Sequence, residues 1–423
     1  MSATHERKPQ SRGLGPPEEA RPGWGKRLLA GLAIMGPAFI AGAWQFGPGA
    51  LTTAVQAGNR YGYVLLWVIV LSTVLAIVFT DMSVRIGLRS GKSVIQTAKD
   101  AYGSAVGATS GLGVFLITLI FSVGNAVGTG IGLGALFGGP AIMWTIIASL
   151  AVAFVVFAKN VYRIIERMLI AMVAVMAIGF VVSALMTSPE WGSVATGIVI
   201  PTIPAGGELL VVALVGTNFS INAAFYVSYA IRERQMKEHQ YRTITLRDTI
   251  PGIGAPGIMA VFVIVAAVAT SEQGLESNTL QELGVALEPV AGPVASTLFS
   301  LGFFAAAFSS MTANAVASGT VLSDALGRGH KLETKSVKGF ILIPLVFGAT
   351  VMIVAGGNPI QLIVSAQALI VLVAPFVGVI LVLLSSRRTL MGQLVNGPIK
   401  KSIGVIGIVI LLAMSLQLVL SWF

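Results

Sequence analysis

Apolar runs of roughly 17–25 residues, each long enough to cross a bilayer, recur eleven times along this chain. They fall near 28–58, 64–86, 109–137, 140–158, 168–187, 205–231, 249–270, 292–323, 339–355, 360–385 and 402–422. Lipid cannot satisfy backbone amides and carbonyls, so spans of this length and spacing must be helices. The expected fold class is therefore an all-α polytopic membrane protein. Composition agrees, because 10% of the residues are charged, against about 25% in a soluble domain.

The bases order the spans. Of the 27 lysines and arginines, 26 lie on alternate connections, while the opposite connections carry Arg60 and otherwise acids such as Glu190, Glu272, Glu276, Glu282 and Glu288. Positive connections stay inside, which puts the protein in the cytoplasmic membrane with its amino terminus in the cytoplasm and its carboxyl terminus outside. The same placement disposes of nucleic acid as a partner, since the net charge of +10 forms no continuous basic face. Membrane lipid is an expected partner; the oligomeric state is left open. Residues 1–26 are polar and proline-bearing and read as a disordered cytoplasmic tail. The run behind them continues past Ala41-Gly42-Ala43 and is taken as an uncleaved first span rather than a signal peptide. Cysteine is absent, which removes disulfides, thiolate metal sites and a cysteine nucleophile.

Two spans are interrupted. Gly47-Pro48-Gly49 stops the first, since proline lacks a backbone donor and glycine weakens the helix on either side. The sixth is interrupted by the polar run from Gly216 to Asn222. An interruption at bilayer depth persists only where it lines a cavity. Breaks at positions one and six imply two five-span halves, the second inserted upside down, with the transported species bound between the breaks. The expected organisation is a core over 27–385, made of repeats at about 27–187 and 205–385. A cytoplasmic connection and an eleventh span follow over 386–423.

The stretches Gly36–Phe39, Pro48-Gly49, Gln56–Gly58, Gly62–Trp67, Pro189–Gly192, Gly292–Gly302 with Ser309-Ser310, Ala374–Phe376 and Leu390–Asn396 resemble, in order and spacing, the NRAMP family of proton-coupled divalent-metal transporters. The resemblance implies a LeuT-like fold of inverted repeats. It also implies a metal site, and here the chain departs from it. The family's first-span motif has aspartate and asparagine where this sequence has Gly47 and Ala50. Its Met-Pro-His segment is Ser220-Ile221-Asn222 here, its third-span acids are Ser122 and Asn125, and its eighth-span glutamine is Phe308. Its tenth-span glutamine is retained as Gln367.

Almost all of the 17 acids fall outside the membrane core, with Asp81, Glu166, Glu208 and Asp324 at or near span ends and none at mid-depth, so a bare dication there would go uncompensated. No metal ligand set and no cofactor is expected, and no motif suggests an enzyme. The candidate substrate-binding residues are Trp44, Gly47, Ala50, Thr53, Thr217, Asn218, Ser220, Asn222 and Gln367. They combine neutral hydrogen-bonding groups with two half-helix amino termini, which favour electron-rich groups. The sequence thus favours a secondary transporter that moves a small polar or organic solute by alternating access. The alternatives are a divalent cation that keeps its water, most simply Mg²⁺, and a receptor or scaffold that no longer transports. Asp81 is read as the i,i+4 partner of Arg85, with a gating or relay role as the alternative. The glycines at 252, 254 and 257 fit a GxGxxG pattern but sit at a span entrance with no soluble βαβ unit, so they are not read as a nucleotide loop; those at 124–134 are read as close-packing positions rather than a phosphate loop.

Overall fold

The computed structural model describes residues 36–157, 159–269, 278–356 and 358–422, with the backbone alone for 159–167. The expected tail, the start of the first span, Glu272, Glu276 and the side chain of Glu166 lie outside what is described. Among the described residues the secondary structure is helical, without strands. Eight helices are long and apolar enough to span a membrane, a bent pair supplies a ninth, and Ala141–Phe157 is a shorter apolar helix. The interrupted first segment, Pro37–Gln45 with Pro48–Tyr61, accounts for the remaining span.

Burial separates the centre of the bundle from its rim. The sixth span, Glu208–Asn218 with Ile221–Glu233, is 94% buried over its apolar window, against 33% for the fifth, ninth and eleventh. The outward faces of those rim helices carry large apolar side chains such as Val346, Val354, Val409 and Leu416, as lipid contact requires. This is an all-α polytopic membrane protein of the LeuT-like inverted-repeat type, with an eleventh span, Pro398–Leu420, beside the two five-span repeats.

The first break arises as its sequence suggests. Pro37 starts the first half-helix, and the Asp248 carboxylate caps it, accepting the amides of Ala38 (3.0 Å) and Phe39 (2.9 Å). The helix ends at Gln45, Gly47 is extended (φ −96°, ψ −171°), and Pro48 opens the next half. Trp44 then has a last-turn carbonyl with no intrahelical donor. The Ser310 hydroxyl, from the eighth span Ala295–Ala325, donates to it at 2.8 Å.

The sixth-span break is narrower than the polar run implies. The helix continues through Gly216, Thr217 and Asn218, and only Phe219 and Ser220 are outside it. Gly216 lies within this helix, and its bare Cα stands against the Gln367 carbonyl, a place where a side chain would not fit.

The tenth span, not marked as interrupted in the sequence, bends by 42° between Pro359–Leu372 and Ala374–Ser386. Pro375 has no amide to offer the Val371 carbonyl one turn earlier. Ser415 of the eleventh span donates to that carbonyl at 2.6 Å. The signal was present at Ala374-Pro375, but proline's effect on the ladder is invisible to a hydropathy count.

The glycine patterns serve packing. Gly252 lies against the backbone of Ala38 and Phe39, Gly257 against Thr73, Gly128 against Pro48 and Gly124 against the Gln367 amide. Glycine in the third span, Ser104–Phe137, therefore lets the first break approach closely.

Candidate functional site

Between the two breaks lies a small cavity of about 20 Å³, enough for roughly one water molecule. Trp44 of the first span, Ser220, Asn222 and Ala223 of the sixth, and Phe121 and Asn125 of the third line it. Ser310, Asn314 and Ala317 of the eighth span complete the wall. Its polar side chains, apart from the indole, are three carboxamides and two hydroxyls, all neutral. Among the described residues no group of three or more His, Cys, Asp or Glu is placed to hold a metal ion.

The sequence candidates divide. Trp44, Ser220 and Asn222 line the cavity, with the Ser220 hydroxyl donating to Asn222 Oδ1 at 3.0 Å. Gly47 lies against its edge: a Cβ there would stand 2.8 Å from Ser310 Oγ and 3.6 Å from Asn125 Oδ1. The Thr53 hydroxyl is turned back to the Gly49 carbonyl (2.8 Å), and Thr217 and Ala50 are buried without lining the cavity. Asn218 faces the second span, Leu66–Ser90. Its amide nitrogen lies 3.0 Å from the Ile69 carbonyl, 2.7 Å from Ser72 Oγ and 2.8 Å from Thr73 Oγ1. That side chain joins two helices and does not line the cavity. Gln367 is 1% exposed and lies behind the first break against Gly49 and Gly124, with its Oε1 unpartnered.

Asn314 was missed, and Asn125 and Ser310 were noted only as family positions. A usable signal existed: Ser310 and Asn314 are four residues apart and so share one face of the eighth span, and a carboxamide within a span is a site candidate. Asn314 also anchors that face, donating to the Thr118 carbonyl at 2.8 Å.

The buried acids hold the bundle's ends together. Asp81 accepts from Arg85 Nε (3.0 Å), Lys400 Nζ (2.8 Å), the Tyr241 hydroxyl (2.9 Å) and the Thr245 hydroxyl (3.1 Å). Arg85 continues to the Leu394 carbonyl (2.7 Å) and to Asn396. The expected i,i+4 pair exists within a cluster that ties the second span to the seventh and eleventh. Asp324 accepts from Ser93 (2.6 Å), Tyr229 (2.6 Å) and Gln96 (3.0 Å). Asp248, not singled out in the sequence, is the cap of the first span.

Beyond Tyr226 a vestibule of about 570 Å³ opens, lined by Tyr229, Arg232, Glu233, Val316, Thr320 and His330 among others. Burial, then the charge of Arg232, lowers the His330 imidazole below its usual pKa.

A central helix broken beside a small polar cavity, within an inverted-repeat bundle, defines this protein as a membrane transporter of the LeuT-like class. The family model for natural resistance-associated macrophage protein-like chains matches residues 38–421, and the chain belongs to that Nramp family. It is 25% identical over 406 residues to the divalent metal cation transporter MntH of Bacillus subtilis, covering 93% of each chain. It superposes with a TM-score of 0.75 on a manganese transporter of Eremococcus coleocola solved with an aromatic bis-isothiourea compound, at 18% identity, covering 95% of this chain and 88% of the other. The nucleobase-cation-symport-1 transporter Mhp1, solved closed around bromovinylhydantoin, shares the fold with a TM-score of 0.58, 15% identity and coverage of 82% and 77%.

Proposed function

We propose that this chain is a secondary transporter that carries a divalent cation, Mg²⁺-like, with part of its water shell, by alternating access between the two breaks. The observation that carries the reading is the cavity's lining of amides and hydroxyls, without carboxylate or sulfur. Hard, neutral oxygen donors suit a cation that keeps its waters, whereas manganese and iron gain from softer or charged ligands. Half-helix carboxyl ends at the breaks, Gln45 and Asn218, add carbonyl dipoles that favour a cation. As it stands a space of about 20 Å³ is too small for an organic solute and for a partly hydrated ion alike, so the choice between them rests on the chemistry of the lining and not on its size. Transport of divalent metal by relatives such as MntH points the same way.

In this reading the neutral residues work as follows. Asn125, Asn222 and Asn314 orient carboxamides toward the ion's waters, while Ser310 holds the Trp44 carbonyl in place. A neutral site binds weakly, so release needs no proton to displace a metal from a carboxylate. Placement of the bases puts the vestibule end in the cytoplasm, and the membrane is the cell's plasma membrane.

The test is flux into proteoliposomes loaded with a metal-sensitive dye. Mg²⁺ should enter, unimpeded by a comparable concentration of Mn²⁺. Failure of any dication to enter, or strong preference for Mn²⁺, would overturn the reading.

A further inference from the structure

The cavity and the vestibule are separated by one pair of rings. Trp44 lines the cavity, Tyr226 lines the vestibule, and their centroids are 4.9 Å apart at 53°. The eighth span marks the same divide, with Ala317 on the cavity and its neighbours Val316 and Thr320 on the vestibule. On the sixth span Asn222, Tyr226 and Tyr229 follow one another at spacings of four and three, so they share a face. That face runs from one space into the other.

Both rings are held. Ser310 fixes the backbone of Trp44 (2.8 Å). Tyr226 packs on Tyr229 (6.0 Å), whose ring meets His330 (5.9 Å) and whose hydroxyl donates to Asp324 (2.6 Å). Four rings in a row thus lead from the cavity to the vestibule mouth. Rings this close leave no room for a water molecule between them.

We propose that Trp44 and Tyr226 form the barrier between cavity and vestibule, and that Trp44 is the side chain limiting the size of what can occupy the site. Its indole keeps the cavity water-sized while the pair is closed, so a cargo, in the cation reading a partly hydrated ion, enters only when the ring moves aside. The barrier stands on geometry alone; only the identity of the excluded and admitted species rests on the cation reading.

Because the chain has no cysteine, single-cysteine variants report directly. Ala317→Cys samples the cavity and Thr320→Cys the vestibule. The protein is placed in nanodiscs, open to reagent from both faces, and labelled with a small charged methanethiosulfonate. Thr320→Cys should label at least about tenfold faster than Ala317→Cys, corresponding to about 1.4 kcal/mol of barrier. Adding Trp44→Ala should bring Ala317→Cys close to the Thr320→Cys rate and leave the latter unchanged, which also reports that the variant folds. Tyr226→Ala tests the same contact from the other side, and Trp44→Phe should retain most protection. Equal rates in the parent variants, or no change with either alanine, would overturn the barrier. Altered labelling without any cation flux would sink the cargo reading and leave the barrier standing. Cation flux with unaltered labelling would do the reverse.

Discussion

Placing a carboxylate at Gly47 tests how the neutral cavity is built. A Cβ at this position would stand 2.8 Å from Ser310 Oγ and 3.3 Å from Ser310 Cβ, so the serine has to move. Its hydroxyl cannot move without giving up the Trp44 carbonyl at 2.8 Å. A hydrogen bond inside a membrane bundle is worth about 0.6 kcal/mol on average and up to about 1.7. Gly47→Asp should therefore destabilise the metal-free protein by about 1–2 kcal/mol. The new carboxyl, in a neutral buried site, has its pKa raised and is protonated. A dication that binds must expel that proton, so binding strengthens as pH rises. At a hundred times its dissociation constant the metal returns about 2.7 kcal/mol. Thermal unfolding of purified protein, with and without Mn²⁺ at pH 6, 7 and 8, reads all of this. Gly47→Asp and Gly47→Asp/Ser310→Ala should gain a Mn²⁺-dependent stabilisation that grows with pH. Gly192→Asp, at a glycine with open space around it, should not. If neither Gly47 variant responds beyond the parent, or if Gly192→Asp responds equally, Gly47 does not border the cation's site.

Asp248→Asn leaves one of the amides of Ala38 and Phe39 without its acceptor, and should cost about 1 kcal/mol, as loss of a helix cap does; unfolding in detergent measures it. Ser415→Ala should cost about 0.5–1.5 kcal/mol, and markedly less in a Pro375→Ala background, where residue 375 regains an amide for Val371; a double-mutant cycle reads the difference. The lowered pKa of His330 means that the unfolded chain binds its proton more readily than the folded one. Stability from this residue is present above about pH 6.5, the usual histidine value, and is lost as pH falls from there through the folded pKa. The loss on acidification should shrink in His330→Gln, measured by the pH dependence of the unfolding midpoint.

The spans were legible because hydrophobic length is a coarse signal read over some twenty residues. Breaks were legible where glycine and proline fall together, as at Gly47-Pro48-Gly49. The tenth-span bend was harder, since Pro375 acts on the carbonyl of Val371 and its replacement donor, Ser415, is remote in sequence. Side-chain direction was the least legible property. Thr217, Asn218, Ser220 and Asn222 read alike in sequence, but helical phase sends Asn218 to Ser72 and Thr73 and brings Asn222 to the cavity. Asn314 carries the same chemistry and lies nearly a hundred residues away. Only packing of the eighth span on the third shows that it belongs with Asn125.

The central claim is that the cavity receives a cation that keeps much of its water. Its most direct test is to bind Mn²⁺ as a spectroscopic probe at high concentration and count its water ligands by electron–nuclear double resonance in exchanged solvent. The account predicts about four or more waters in a roughly six-coordinate shell, a signal that Mg²⁺ displaces and that Asn222→Ala weakens. A manganese ion stripped to mostly protein ligands, or one that Mg²⁺ fails to displace, would contradict it.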